Sequence, residues 1–148
     1  MTHENQSKKD YLSRYRWDLK RLDEIDKEIT RCRLDALPGA ITYDAMPHGS
    51  GGTSDLSDYA AKLDGLIMLY RGLKQRILNE LQEILEAIEA IEEPKYKVLL
   101  HERYINLRDG KFRDWLDIGD TMGFSEDYVK HLHGSALEAL KIPKVNTL

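Results

Sequence analysis

Trp115 to Gly134, WLDIGDTMGFSEDYVKHLHG, is the stretch from which the rest of the chain is read. Apolar residues fall at Trp115, Ile118, Met122, Phe124, Val129 and Leu132, in helical steps on either side of a break at Gly123. This pattern predicts two short helices sharing one core, a helix-turn-helix. Gly123 suits the turn because glycine reaches positive φ without a Cβ clash. Gly119, one helical turn earlier, leaves room for the second helix to cross closely. Ser125 is a natural N-cap, its hydroxyl placed to accept a free backbone N–H. The second helix then begins at Glu126 and turns Glu126, Asp127, Lys130 and His131 outward, the positions that meet base edges in this motif.

Immediately upstream, Pro94 ends one helix and suits the first turn of the next, where its missing N–H costs nothing. That third helix spans about Pro94 to Ile105, and Asn106 to Gly110 forms a turn. Asp114 is expected to cap the first helix of the motif, with Asp117 supplying a first-turn carboxylate. The last helix continues through Ala136, Leu137 and Leu140 and stops before Pro143, leaving a frayed terminus.

Further upstream lie two long amphipathic helices. The first carries Tyr11, Tyr15, Asp18, Leu22, Ile25, Ile29, Cys32 and Ala36 at alternating four- and three-residue steps, broken only by Asp18. A continuous helix over this span is about 39 Å long at roughly 1.5 Å per residue. Leu12 and Leu19 widen its stripe. The second, capped by Ser54 or Asp55, carries a heptad seam of Leu56, Ala60, Leu63, Ile67, Tyr70, Lys74, Ile77, Leu81, Ile84, Ile88 and Ile91. The two seams call for an antiparallel hairpin, a second copy of the chain, or both. Glu80, Glu83, Glu86, Glu89, Glu92 and Glu93 read as the solvated face opposite the seam. Between the helices, Leu37 to Ser54 (LPGAITYDAMPHGSGGTS) reads as a loop, and it lacks the Lys-Ser or Lys-Thr ending of a phosphate loop. The expected fold is all-α: a long coiled-coil-like hairpin over 1–93, for oligomerisation or partner binding, then a three-helix helix-turn-helix domain over 94–148.

The chain has 148 residues and a net charge of −4. Residues 94–148 hold nine Lys and Arg against eight Asp and Glu, so one copy of that part has only modest attraction for phosphate. The polar start resembles no signal peptide, and no segment approaches the roughly 18 apolar residues of a membrane span. The lone Cys32 cannot form an internal disulfide. A bacterial cytoplasmic location without membrane association is expected. No nucleophile elbow or nucleotide loop is present. His131 and His133 lie two apart on a helix and point ~160° away from one another, which disfavours a shared metal. No enzyme activity and no cofactor are expected.

The segment Leu99 to Leu140, LLHERYINLRDGKFRDWLDIGDTMGFSEDYVKHLHGSALEAL, resembles the DNA-binding part of RinA/ArpU-type phage late-gene regulators and the region-four helix-turn-helix of sigma factors. Arg103, Trp115, Ile118, Gly119, Met122, Gly123, Ser125, Val129, Leu132, Ala136 and Leu137 carry the likeness. It implies a phage or prophage transcription regulator, an activator of late genes, that binds promoter or operator double-stranded DNA and uses its hairpin to form a homo-oligomer or to touch host RNA polymerase. Base reading then falls to Glu126, Asp127, Lys130 and His131, with Ser125 near phosphate. Glu126 departs from the arginine usual in sigma factors, so the sequence preference must differ. Phosphate contacts fall to Arg103, Arg108, Lys111, Arg113 and Lys130. The alternatives are a helical adaptor that binds RNA polymerase or another protein without touching DNA, and a small DNA-packaging subunit.

Overall fold

A computed structural model describes residues 2–36 and 52–143. Among them the chain is all-helical, with a long helical hairpin followed by a small helical module. We number the helices α1 (His3–Asp35), α2 (Gly52–Glu89), α3 (Pro94–Leu100), α4 (Trp115–Met122) and α5 (Glu126–Ala139), with a π-helical turn, His101–Ile105, extending α3. Residues 37–51 of the expected loop, and the expected frayed end at 144–148, lie outside the described residues. Helix α2 starts at Gly52, so Ser54 and Asp55 lie inside it and do not precede it as caps.

Contacts divide the chain into two compact units, Met1–Leu19 with Ile77–Leu148, and Lys20–Arg76. This division falls elsewhere than the sequence division at 93/94, because the first half of α1 and the end of α2 belong with the C-terminal module. Tyr11 and Leu12 share a buried cluster with Ile84, Ile88 and Ile91 of α2, Leu99 and Leu100 of α3, Ile118 of α4, and Val129, Leu132, Ala136 and Leu137 of α5. Leu12, Leu99, Leu100, Ile118, Leu137 and Leu140 are completely inaccessible to solvent. Each such aliphatic side chain contributes about 1.5–3 kcal/mol of transfer free energy. Lys8 ties the start of α1 to the end of α5 by donating to the Glu138 carbonyl at 3.3 Å, a cation on an otherwise orphaned helix-end acceptor.

In the same unit Glu80 departs from its expected place on the solvated face. Its position three residues after Ile77 and four before Ile84 puts it on the buried stripe, where it accepts from Arg14 at 2.9 Å. A buried carboxylate requires such a partner. In the Lys20–Arg76 unit burial is sparser. Ile25, Ile29 and Cys32 of α1 are buried, whereas Leu63, Ile67 and Tyr70 of α2 are half-covered and Leu56 and Ala60 are exposed. The α2 seam is therefore shorter than its apolar periodicity.

The third helix has the expected limits but not uniform geometry. Its last turn widens, with the Asn106 N–H donating to the His101 carbonyl, five residues back, at 2.9 Å. The chain then reverses at Arg108–Lys111, whose N–H groups and carbonyls are exchanged at 2.9 Å each way. Asp109 (φ 52°) and Gly110 (φ 75°) supply the two positive-φ residues such a tight reversal requires.

Candidate nucleic-acid interface

Helices α4 and α5 have the geometry their apolar spacing predicts. Gly123 closes α4 in the left-handed conformation (φ 78°), and its N–H donates to the Gly119 carbonyl. Gly119 is required for a more specific reason than helix crossing. A Cβ there would lie 2.6 Å from the Phe124 carbonyl oxygen, so the side chain must be absent for the turn itself to close. Ser125 caps α5 by accepting the Tyr128 N–H at 3.2 Å, and its own O–H remains a donor. The core between the helices is Ile118, Val129 and Leu132, extended by half-buried Trp115, Met122 and Phe124.

The start of α4 corrects one expectation. Asp114 occupies the N-cap position but its side chain makes no capping bond. Asp117, in the first turn, accepts from Arg113 Nε at 2.8 Å and pairs with Arg108 at 3.1 Å. These cations hold its carboxyl below the ordinary range, the Arg113 hydrogen bond first among the causes.

Arg113 departs furthest from the phosphate contact expected of it. Its side chain is only 3% exposed. Besides Asp117 it donates to Glu102 and, at 2.6 Å, to the Thr121 hydroxyl. A guanidinium with carboxylates on two sides is held within the module and does not face a ligand. Arg103 is half-buried. It donates to the Arg113 carbonyl and lies over the rings of Trp115 (4.0 Å) and Phe112 (5.0 Å). Arg108 and Lys111 are exposed on the tight turn.

The outer face of α5 carries the base-reading candidates together. Glu126, Asp127, Lys130 and His131 are all exposed. Lys130 meets Glu126 one turn back at 3.2 Å, a solvent-facing pair of small worth that another partner can replace. Tyr128, 40% exposed and edge-on to Phe124 at 4.8 Å, joins this face. Sequence reasoning passed over it because an aromatic beside the Val129 stripe reads as core.

His133 faces the other way, as the helical spacing from His131 requires. It is 4% exposed, 2.7 Å from the Tyr104 hydroxyl, and 4.7 Å from Trp115 ring to ring. Burial, reinforced by Lys9 and Arg103, pushes its pKa down to about 4. Burial likewise raises that of Tyr104. The imidazole is thus neutral at pH 7 and bonded to a neutral phenol.

Among the described residues no group of His, Cys, Asp and Glu is arranged to hold a metal, and no helix is long and apolar enough to cross a membrane. Searches of protein-family models, curated proteins and solved structures find no match to this chain.

Proposed function

We propose that the chain is a sequence-specific DNA-binding transcription regulator of a phage or prophage, of the RinA/ArpU type, activating late genes. The observation that carries this reading is the α4–Gly123–α5 unit, whose outer face gathers Glu126, Asp127, Lys130 and His131. In this motif the second helix enters the major groove while the first crosses the sugar-phosphate backbone. Lys130 and His131 donate to purine acceptors, Asp127 and Glu126 accept from cytosine N4, and the Ser125 hydroxyl reaches phosphate. Doubling the chain through its long hairpin offsets the weak charge of a single module and reads two half-sites. Incubating the protein with DNA from upstream of the genes adjacent to its own tests this reading. Retardation that weakens steeply with salt is expected, and no retardation at low ionic strength refutes it.

A second reading is an adaptor that binds a protein such as host RNA polymerase without DNA contact. It is favoured by an open groove of about 660 Å³ in the C-terminal unit, between α2 and α3. Leu81, Leu85, Ile88 and Val98 give it an apolar floor, and its rim is mixed, with Glu86, Glu89 paired to Lys97, and His101. That chemistry fits an apolar helix face with polar flanks. Polymerase binding abolished by Val98→Glu, in a chain without DNA affinity, would favour this reading.

A further inference from the structure

One cation near the motif comes from outside it. Arg16 of α1 donates to the Gly110 carbonyl of the tight turn at 3.2 Å. Its guanidinium lies 4.8 Å from the Phe112 ring centroid and 4.8 Å from that of Trp17, which is 56% exposed. Arg103 lies 5.0 Å from the same Phe112 ring, so two guanidinium groups share one aromatic side chain. Among the described residues neither is in an ion pair with a carboxylate. Burial lowers the pKa of Arg103; Tyr104 and the Asp114 carboxylate oppose that, and the charge of Arg16 adds to the lowering more weakly than either. Exposed Lys111 precedes Phe112 in sequence, and exposed Arg108 completes the turn.

This arrangement is the reverse of the Arg113 pocket. There each guanidinium nitrogen meets an acceptor. Here two like charges share one ring, and each donates to a backbone carbonyl, Arg16 to Gly110 and Arg103 to Arg113. Guanidinium groups pair with phosphate through two parallel N–H donors, and stacking on an aromatic ring fixes their planes. The cluster adjoins the start of α4, since Arg103 sits over Trp115, the first residue of that helix. The first helix of such a motif is the one that crosses the backbone.

We infer that Arg16, with Arg103 and Lys111, forms a phosphodiester-binding clamp, so that α1 contacts the DNA backbone beside the groove occupied by α5. The clamp rests on the DNA-binding reading above and adds to it a contact outside the helix-turn-helix. A polynucleotide backbone fits better than a free anion because the cations are spread from α1 across the turn and not closed around a single point.

The test is duplex DNA binding by the full chain between 50 and 200 mM salt, measured by fluorescence anisotropy for the original protein, Arg16→Gln and Arg16→Lys. Arg16→Gln is expected to lower the slope of log affinity against log salt by about 1 and to weaken binding roughly tenfold at the low-salt end. Arg16→Lys keeps the charge and is expected to keep the slope. Thermal melts of both variants should match the original, because the side chain is only partly covered. At matched ionic strength, inorganic phosphate should compete no better than chloride. An unchanged slope in Arg16→Gln, equal loss in both variants, or selective competition by inorganic phosphate overturns the clamp while leaving the DNA-binding reading intact. No salt-dependent DNA affinity in the original protein overturns both.

Discussion

Two regions around the helix-turn-helix, the Arg113 pocket and the outer face of α5, are built from the same residue types to opposite ends. In the pocket, Arg113 is buried and its donors meet Glu102, Asp117 and Thr121. On the outer face, Lys130 meets one carboxylate of its own helix, and His131 stands in solvent. A buried charge with fixed partners holds two elements together and has little left to offer a ligand. An exposed charge with an exchangeable partner adds little stability and remains available. The difference teaches that cations in a binding motif must be sorted by burial before they are assigned to phosphate.

The largest effect expected from this contrast is in the pocket. Arg113→Ala leaves Glu102 without its counter-ion and Asp117 with Arg108 alone, and should destabilise the module by about 1–3 kcal/mol in denaturant unfolding. A loss below about 1 kcal/mol would mean the pocket is not the clasp described.

The second effect concerns pH. His133 has a folded pKa of about 4 against an ordinary 6.5, so the unfolded chain binds the proton first. Stability from this group is complete above about 6.5, falls as pH drops toward 4, and is constant below that. The total loss is up to roughly 3 kcal/mol. Melting temperatures from pH 7.5 to 4 should fall accordingly, and His133→Gln should flatten the fall. An equally steep curve in the variant would remove His133 as its source.

How much of this was legible in the sequence differs between the two regions. The outer face was legible because helical period alone determines which residues share a side, and Gly123 and Ser125 signal the turn and the cap through backbone chemistry. The pocket was not, because a run of cations such as Arg108, Lys111 and Arg113 looks alike until folding shows which of them Asp117 and Glu102 reach. Asp114 failed as a capping side chain, and Asp117 was drawn instead to arginines. Glu80 was misplaced because a carboxylate on an apolar stripe is visible only with its partner, Arg14, brought from 66 residues away. Arg16 could not be connected with the motif at all, since only the packing of α1 brings it to the turn.

A third substitution tests the closeness of α4 to the turn. Gly119→Ala places a methyl group against the Phe124 carbonyl and should cost about 1–3 kcal/mol in the same unfolding assay. A neutral result would show that the turn yields easily.

The smallest effect on stability, and the largest on function, belongs to the outer face. Lys130→Ala with His131→Ala should change unfolding free energy by less than about 0.5 kcal/mol, as for other exposed positions. A loss beyond about 1 kcal/mol would show that the face is structural.

The most direct measurement is the ratio of affinities for the promoter fragment and for a scrambled fragment at one salt concentration, in the original protein and in the Lys130→Ala, His131→Ala double variant. The original should prefer the promoter by about 10³ or more. The double variant should lose at least roughly tenfold of that preference, two missing base contacts at about 1–3 kcal/mol each. An identical ratio in the two proteins would contradict base reading by the outer face of α5.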